Sequence, residues 1–236
     1  MATVCGVAPK AIVFFLESRI THAIALQDQG VDSDYEPIPS SSSWSVLKAA
    51  RTSPEYKDAL RGFVDLMKRY PRYEHQISRI FWRMGDIWPP DDTGTETFAA
   101  LDCLLHTSNS DDVLIVLRSL DDAPLGLTIF HSMFALHVLW TCAEYGEEFK
   151  AAAMARLTGN CFASGGAQAV QPGASITVRS GLSEPWQKAV AELLAKCEPG
   201  TLDFELFKRI ADAAQPVFHT LDLADVFDGT EDPEEE

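Results

Sequence analysis

The 236 residues are 46% hydrophobic and 23% charged and carry a net charge of −16, a balance that excludes an intrinsically disordered chain and allows a sizeable core. So acidic a surface argues against uniform coating of nucleic acid, because a polyanion is repelled everywhere except at local basic patches. Five scattered cysteines, at positions 5, 103, 142, 161 and 197, fit no secreted disulfide framework and point to a reducing, intracellular setting, cytoplasmic or nuclear.

Along the chain the periodicity is helical nearly everywhere. The apolar run "AIVFFL" (11–16) is too short for a signal-peptide core, and Glu17, Arg19 and His22 follow it. Lys10 to Gln29 reads as a helix with Ile12, Phe15, Leu16, Ile20, Ala23 and Leu26 on one broad face. "VDSDYEPIPSSSS" (31–43) is proline, serine and acid, the composition of an exposed linker. Thr52, Pro54 and Glu55 then form a helix start.

Two apolar stripes follow. Tyr56, Leu60, Phe63, Val64, Met67 and Tyr70 make the first; Tyr73, Ile77, Ile80, Phe81, Met84, Ile87 and Trp88 make the second, after the break at Pro71. The pair reads as an antiparallel helical hairpin over 54–88, or as one sharply kinked rod. Further helices are expected at 96–106 and at 110–120, where Ser110, Asp111 and Asp112 suit a positive helix end. The apolar run 123–143 approaches membrane-spanning length, but two histidines and small polar residues interrupt it, so the helix at 125–145 reads as a buried core helix and no membrane span is assigned. A helix from Glu147 to Leu157 precedes a long loop over 158–183, in which "SITVRS" (175–180) alone has strand chemistry. Helices are expected again at Glu184–Lys196, Leu202–Gln215 and Pro216–Phe227. "DGTEDPEEE" (228–236) has the composition of a disordered acidic tail. The fold class is therefore all-α: an irregular multi-helix bundle of about ten helices forming one domain over 1–227. No repeat in residue identities supports a regular solenoid.

Charge is segregated along the chain. Between Lys48 and Arg83 there are nine basic and four acidic side chains, whereas Met84–Pro124 holds nine acids and one base, and Asp203–Glu236 eleven acids and two bases. On an ideal helix Arg72, Arg79 and Arg83 fall within about 40° of one another and about 120° from the apolar stripe. Lys57, Arg61 and Lys68 share one side of the preceding helix. Paired through their stripes, the two helices would carry these six cations on a common ridge able to grip carboxylate or phosphate. Trp82 points away from its stripe beside Arg83, the position of an exposed aromatic anchor.

No HExxH, GxSxG, Walker-type loop or paired CxxC is present. Cys103 and His106 are three residues apart and would need two further ligands, from His131, His137 or Cys142, to hold a metal; the reading adopted is a buried thiol and core histidines, with no metal site and no cofactor. "ASGGA" (163–167) has neither a helix nor a lysine behind it and reads as surface loop. The leading expectation is a non-enzymatic interaction or assembly protein that docks an acidic partner, or another copy of itself, through the basic hairpin. The alternative is a nucleic-acid-associated structural protein of the coat or nucleocapsid type using the same ridge on phosphate. An enzyme with a pocket along helices 125–157 comes third.

Overall fold

The computed structural model describes residues 8–31, 34–38, 50–85, 95–107, 109–162, 176–180, 182–214 and 217–221. Among them are ten α-helices: α1 (Lys10–Asp28), α2 (Tyr56–Arg69), α3 (Glu74–Gly85), α4 (Thr95–Leu105), α5 (Ser110–Ser119), α6 (Leu127–Phe130), α7 (Ser132–Tyr145), α8 (Glu147–Gly159), α9 (Glu184–Leu194) and α10 (Leu202–Ala213). The fold is all-α, with one two-stranded ribbon formed by β1 (Ile176–Ser180) and β2 (Val217–Leu221).

The first hairpin follows from its sequence. Ala59, Leu60, Phe63, Val64, Leu66 and Met67 of α2 and Ile77, Ile80, Phe81 and Met84 of α3 are all buried, at helical spacing. Pro71 removes a backbone donor and forces its predecessor out of helical geometry: Tyr70 takes φ −129°, ψ 66°, and a 3₁₀ turn over Pro71–Tyr73 reverses the chain. At the other end Tyr56 reaches across to the carbonyls of Met84 and Gly85, 3.3 and 3.2 Å away. The helix starts at Tyr56 rather than beside Thr52, because Ala50–Thr52 form a 3₁₀ turn and Ser53 Oγ accepts from Glu55 N.

The remaining helices repeat this pattern in chain order. α4 packs on α5, α7 on α8 and α9 on α10, and α1 lies along α2. Between hairpins, extensive packing is confined to sequence neighbours: α2 and α3 meet α4 and α5, these meet α7 and α8, and α8 and α7 meet α10. Four helical hairpins are thus stacked in sequence order, although residue identities show no repeat. β1 and β2 flank the last hairpin in the chain and pair antiparallel, Ile176 opposite Leu221 and Ser180 opposite Val217. Residues 217–221, expected as helix, therefore form the partner that the strand at 176–180 lacked, and the expected loop over 158–183 contains β1 and the end of α8.

Two further expectations are corrected. The linker at 31–43 is not uniformly exposed: Pro37 and Ile38 are buried, and Arg19 donates to the carbonyls of Pro37 (2.8 Å) and Glu36 (2.7 Å), tying the segment to α1. Phe15 is 46% exposed, with the Arg19 guanidinium over its ring, while Val13 takes the core position against Gly62. The acidic tail at 228–236 lies outside the described residues. No helix among those described is long and apolar enough to cross a membrane; the apolar stretch at 125–145 is split into α6 and α7 at His131, which takes φ −124°, ψ 47°.

Candidate functional site

The seven hairpin residues expected to form one docking ridge do not stay together. Lys57 pairs with Glu96 at the start of α4 (2.6 Å), and Lys68 with the buried Asp112 at the start of α5 (2.9 Å). Arg72 turns toward α1, where its guanidinium donates to Gln27 Oε1 at 2.6 Å. Arg61, Arg79 and Arg83 are exposed and make no ion pair among the described residues. Arg79 lies in the field of Asp122, which His75 approaches at 2.9 Å. The segregation of charge along the chain is thus largely a device of packing: a basic first hairpin lies against an acidic second one, and helix-start carboxylates of the second neutralise lysines of the first. Three of the six cations, Lys57, Lys68 and Arg72, are thus held by partners on other helices.

Trp82 corrects the sequence reading most clearly. It is 2% exposed, its ring lies edge-on to Phe81, and its indole N–H donates to the Ser119 carbonyl at 2.7 Å. A lone amphipathic helix buries one stripe, but a helix inside a stack has neighbours on two sides. The end of α5 covers the side of α3 that periodicity leaves to solvent. Trp82 is an internal pin between hairpins, not a docking anchor. Beside it Arg118 of α5 grips Glu74 of α3 with two parallel hydrogen bonds of 2.7 Å each.

A second constellation lies where α4 meets α7. Asp102, His106 and His137 bring one carboxylate and two imidazoles together, with one ligand atom of each within 4.8 Å of the others. His106 Nε2 stands 3.1 Å from Asp102 Oδ2, and His137 Nδ1 stands 2.9 Å from Asp102 Oδ1. Regular packing supports the cluster on both sides. Phe98, one turn before Asp102, stacks on Phe134 with centroids 4.6 Å apart, and His131 tilts against it. On the other side the Tyr145 hydroxyl donates to the Thr107 carbonyl. Among the described residues no lysine or arginine pairs with Asp102, and the two imidazoles are its hydrogen-bonding partners. His106 is 65% exposed, and Asp102 and His137 are each 34% exposed, so the cluster is open to solvent.

This is a different set from the one that spacing proposed. Cys103, expected as a buried thiol, lies one residue round the helix and is exposed; it donates its thiol to the Ala100 carbonyl in the field of Arg61 and Lys68. Cys142 is wholly buried, and burial pushes its thiol up to about 12; the same cause holds Cys161 at about 12. Thiols so far above neutrality are poor nucleophiles and poor metal ligands.

The stretch 125–157 borders a groove of about 640 Å³, lined by residues including Asp121, Leu125, Arg156, Asn160 and Phe162. Its two charged side chains, Arg156 and Asp121, neutralise each other at 3.1 Å. Asn160 is spent on structure: its amide donates to the carbonyls of Ala123 and Pro124, and its Oδ1 accepts from Thr128 N. Comparison of the chain with protein-family models, with curated proteins and with solved structures found no match to any of them.

Proposed function

We propose that this chain is a non-enzymatic interaction protein, a short stack of helical hairpins that docks an acidic protein segment on the outer face of α3. One observation carries the reading. Arg79 and Arg83 stand one helical turn apart on that face, both exposed and neither in an ion pair among the described residues, while Lys57, Lys68, Arg69 and Arg118 are each matched to a carboxylate. Two guanidiniums at this spacing fit two carboxylates of an extended or helical acidic segment, each through a forked contact. Stacked hairpins leave whole helix faces open along the stack, the surface that repeat-like helical proteins use for binding. Arg61 lies on the neighbouring helix as a third exposed cation.

The test uses the full chain and two fluorescent probes, a polyglutamate peptide and a synthetic peptide of residues 222–236. Both are titrated at low and high salt. Binding should weaken about tenfold in the Arg79→Ala/Arg83→Ala double variant, the scale of losing charge-assisted contacts, and should weaken with salt. Lys57→Ala, whose charge already belongs to Glu96, should leave it unchanged. Equal affinity of the double variant and the parent chain overturns the proposal. Preferential binding of the 222–236 peptide would make another copy of the chain the partner. Tighter binding of a single-stranded RNA of equal charge would transfer the surface to nucleic acid.

A further inference from the structure

The cluster joining α4 to α7 goes beyond that reading, because its chemistry is not that of a docking face. We propose that Asp102, His106 and His137 bind a divalent first-row transition ion, Zn²⁺ by preference, and that the ion clamps the second helical hairpin to the third.

Three features of the cluster point this way. First, the donor set is mixed and borderline: two imidazole nitrogens and one carboxylate suit Zn²⁺ and its neighbours. Ca²⁺ and Mg²⁺ take oxygen ligands, and the thiolates that would favour Cu(I) lie elsewhere. Second, the spacing is right. A metal with ligands at about 2.0–2.1 Å holds its donor atoms roughly 3 Å apart; each imidazole nitrogen already lies at that distance from one oxygen of Asp102, 3.1 Å from Oδ2 and 2.9 Å from Oδ1, and one ligand atom of each residue lies within 4.8 Å of the others. The two imidazoles need to close on each other and on one shared carboxylate oxygen. Their centroids are 5.2 Å apart, with the rings inclined at 53° rather than stacked. Third, the donors are held by rigid elements. Asp102 is in α4, His106 follows one turn later with its backbone N–H still bonded to the Asp102 carbonyl at 3.3 Å, and His137 is inside α7. The Phe98–Phe134 stack and the Tyr145–Thr107 bond fix the two helices on either side of the cluster.

In the hydrogen-bonded form each imidazole donates one N–H to a different oxygen of Asp102. Ion binding places the metal at those nitrogens, with the proton of His106 on Nδ1 and that of His137 on Nε2. The carboxylate changes from hydrogen-bond acceptor to ligand, and water fills the positions that three protein donors leave open. Nothing is oxidised or reduced. Because the ligands come from two hairpins, the ion resists their separation, and its binding adds to the stability of the folded stack by mass action.

The experiment is a titration of the full chain, stripped with a chelator, with Zn²⁺ against a chromophoric competitor and separately with Co²⁺. Binding of one ion per chain is expected, with visible d–d absorption for Co²⁺ and a rise in Tm with added Zn²⁺. His106→Gln and His137→Gln should each weaken Zn²⁺ binding at least about tenfold and abolish the Tm rise. His22→Gln, on α1 and far from the cluster in the chain, should change neither. His106 is largely exposed, so its variant reports binding without threatening the fold. No uptake at about 100 μM ion overturns the proposal, as does uptake undiminished in the His106→Gln/His137→Gln double variant.

Discussion

The Asp122 carboxyl lies beneath α3, 2.9 Å from His75 Nδ1 and with only 6% of its side chain exposed. Burial pushes its pKa above the ordinary 3.8, and the attraction of His75, a hydrogen bond from Ser78 and the field of Arg79 only partly oppose that push. A carboxyl that holds its proton more tightly when folded makes the folded state lose stability as pH rises from the unfolded pKa through the folded one. Above that window the buried charge is a net cost. Asp122→Asn, a neutral replacement of the same shape, should therefore raise Tm by about 2 °C at pH 7, with the gain shrinking as pH falls toward 4. Thermal melts of both proteins across that range measure it. A variant less stable than its parent at pH 7 would mean that attraction to His75 outweighs desolvation.

Trp82, Asp102 and His137 show at the same scale what a sequence can and cannot disclose. The side of α3 that carries Trp82 reads as solvent-facing by periodicity alone, because periodicity locates one buried stripe and is silent about a second neighbour. The Asp102–His106 pair is visible as an i,i+4 spacing, but nothing local distinguishes it from the Cys103–His106 pair beside it. Its third member lies 31 residues further along, on another hairpin. The contact between them exists only because α4 and α7 pack, and a single sequence does not carry that information. Lys57 and Lys68 failed as free cations for the same reason: their carboxylates are non-local.

Among the elements, the helices with strong stripes and clear ends are the ones the residues announce. α5 begins where its acids predict, with Asn109 Oδ1 accepting from Asp111 N at 3.1 Å. α10 begins at Thr201, whose hydroxyl accepts from Phe204 N at 3.3 Å. The stretch 125–145 was harder, since an unbroken apolar run conceals a turn. Gly126 takes φ +83° to start α6, its N–H donates to the Asn160 carbonyl at 2.8 Å, and a Cβ there would stand 2.6 Å from the Trp186 ring of α9. Glycine is thus required twice, for its dihedral and for the close approach. Gly126→Ala should cost about 2–4 kcal/mol, from the left-handed dihedral and the displaced ring together, measured by chemical denaturation. Adding Trp186→Leu should recover the part due to the ring and leave the part due to the dihedral. Full recovery would mean that the dihedral relaxes freely.

For the molecule as a whole, the order of packing governs how it comes apart. The first and fourth hairpins share no extensive contact; each is held by its neighbour in the stack. Stability in such a chain is close to a sum of hairpin terms and nearest-neighbour terms, so damage at one end need not travel to the other. The fourth hairpin is the test case. Phe207 is 1% exposed on α10 and lies with Leu206 and Ile210 on the side that α10 buries. Phe207→Ala removes about 3–5 kcal/mol at that junction. In a single cooperative domain the loss would lower protection from hydrogen exchange everywhere by the same amount. In a sequential stack it should fall on α9, α10 and the adjoining face of α8, leaving α2 and α3 exchanging as in the parent chain. Exchange followed by mass spectrometry separates the two outcomes, since the hairpin at 56–85 and the hairpin at 184–213 occupy different stretches of sequence. If the site at Asp102, His106 and His137 holds its ion, added Zn²⁺ should protect α4 and α7 in the same experiment, because a clamp between the second and third hairpins strengthens one junction and leaves the ends of the stack as they were.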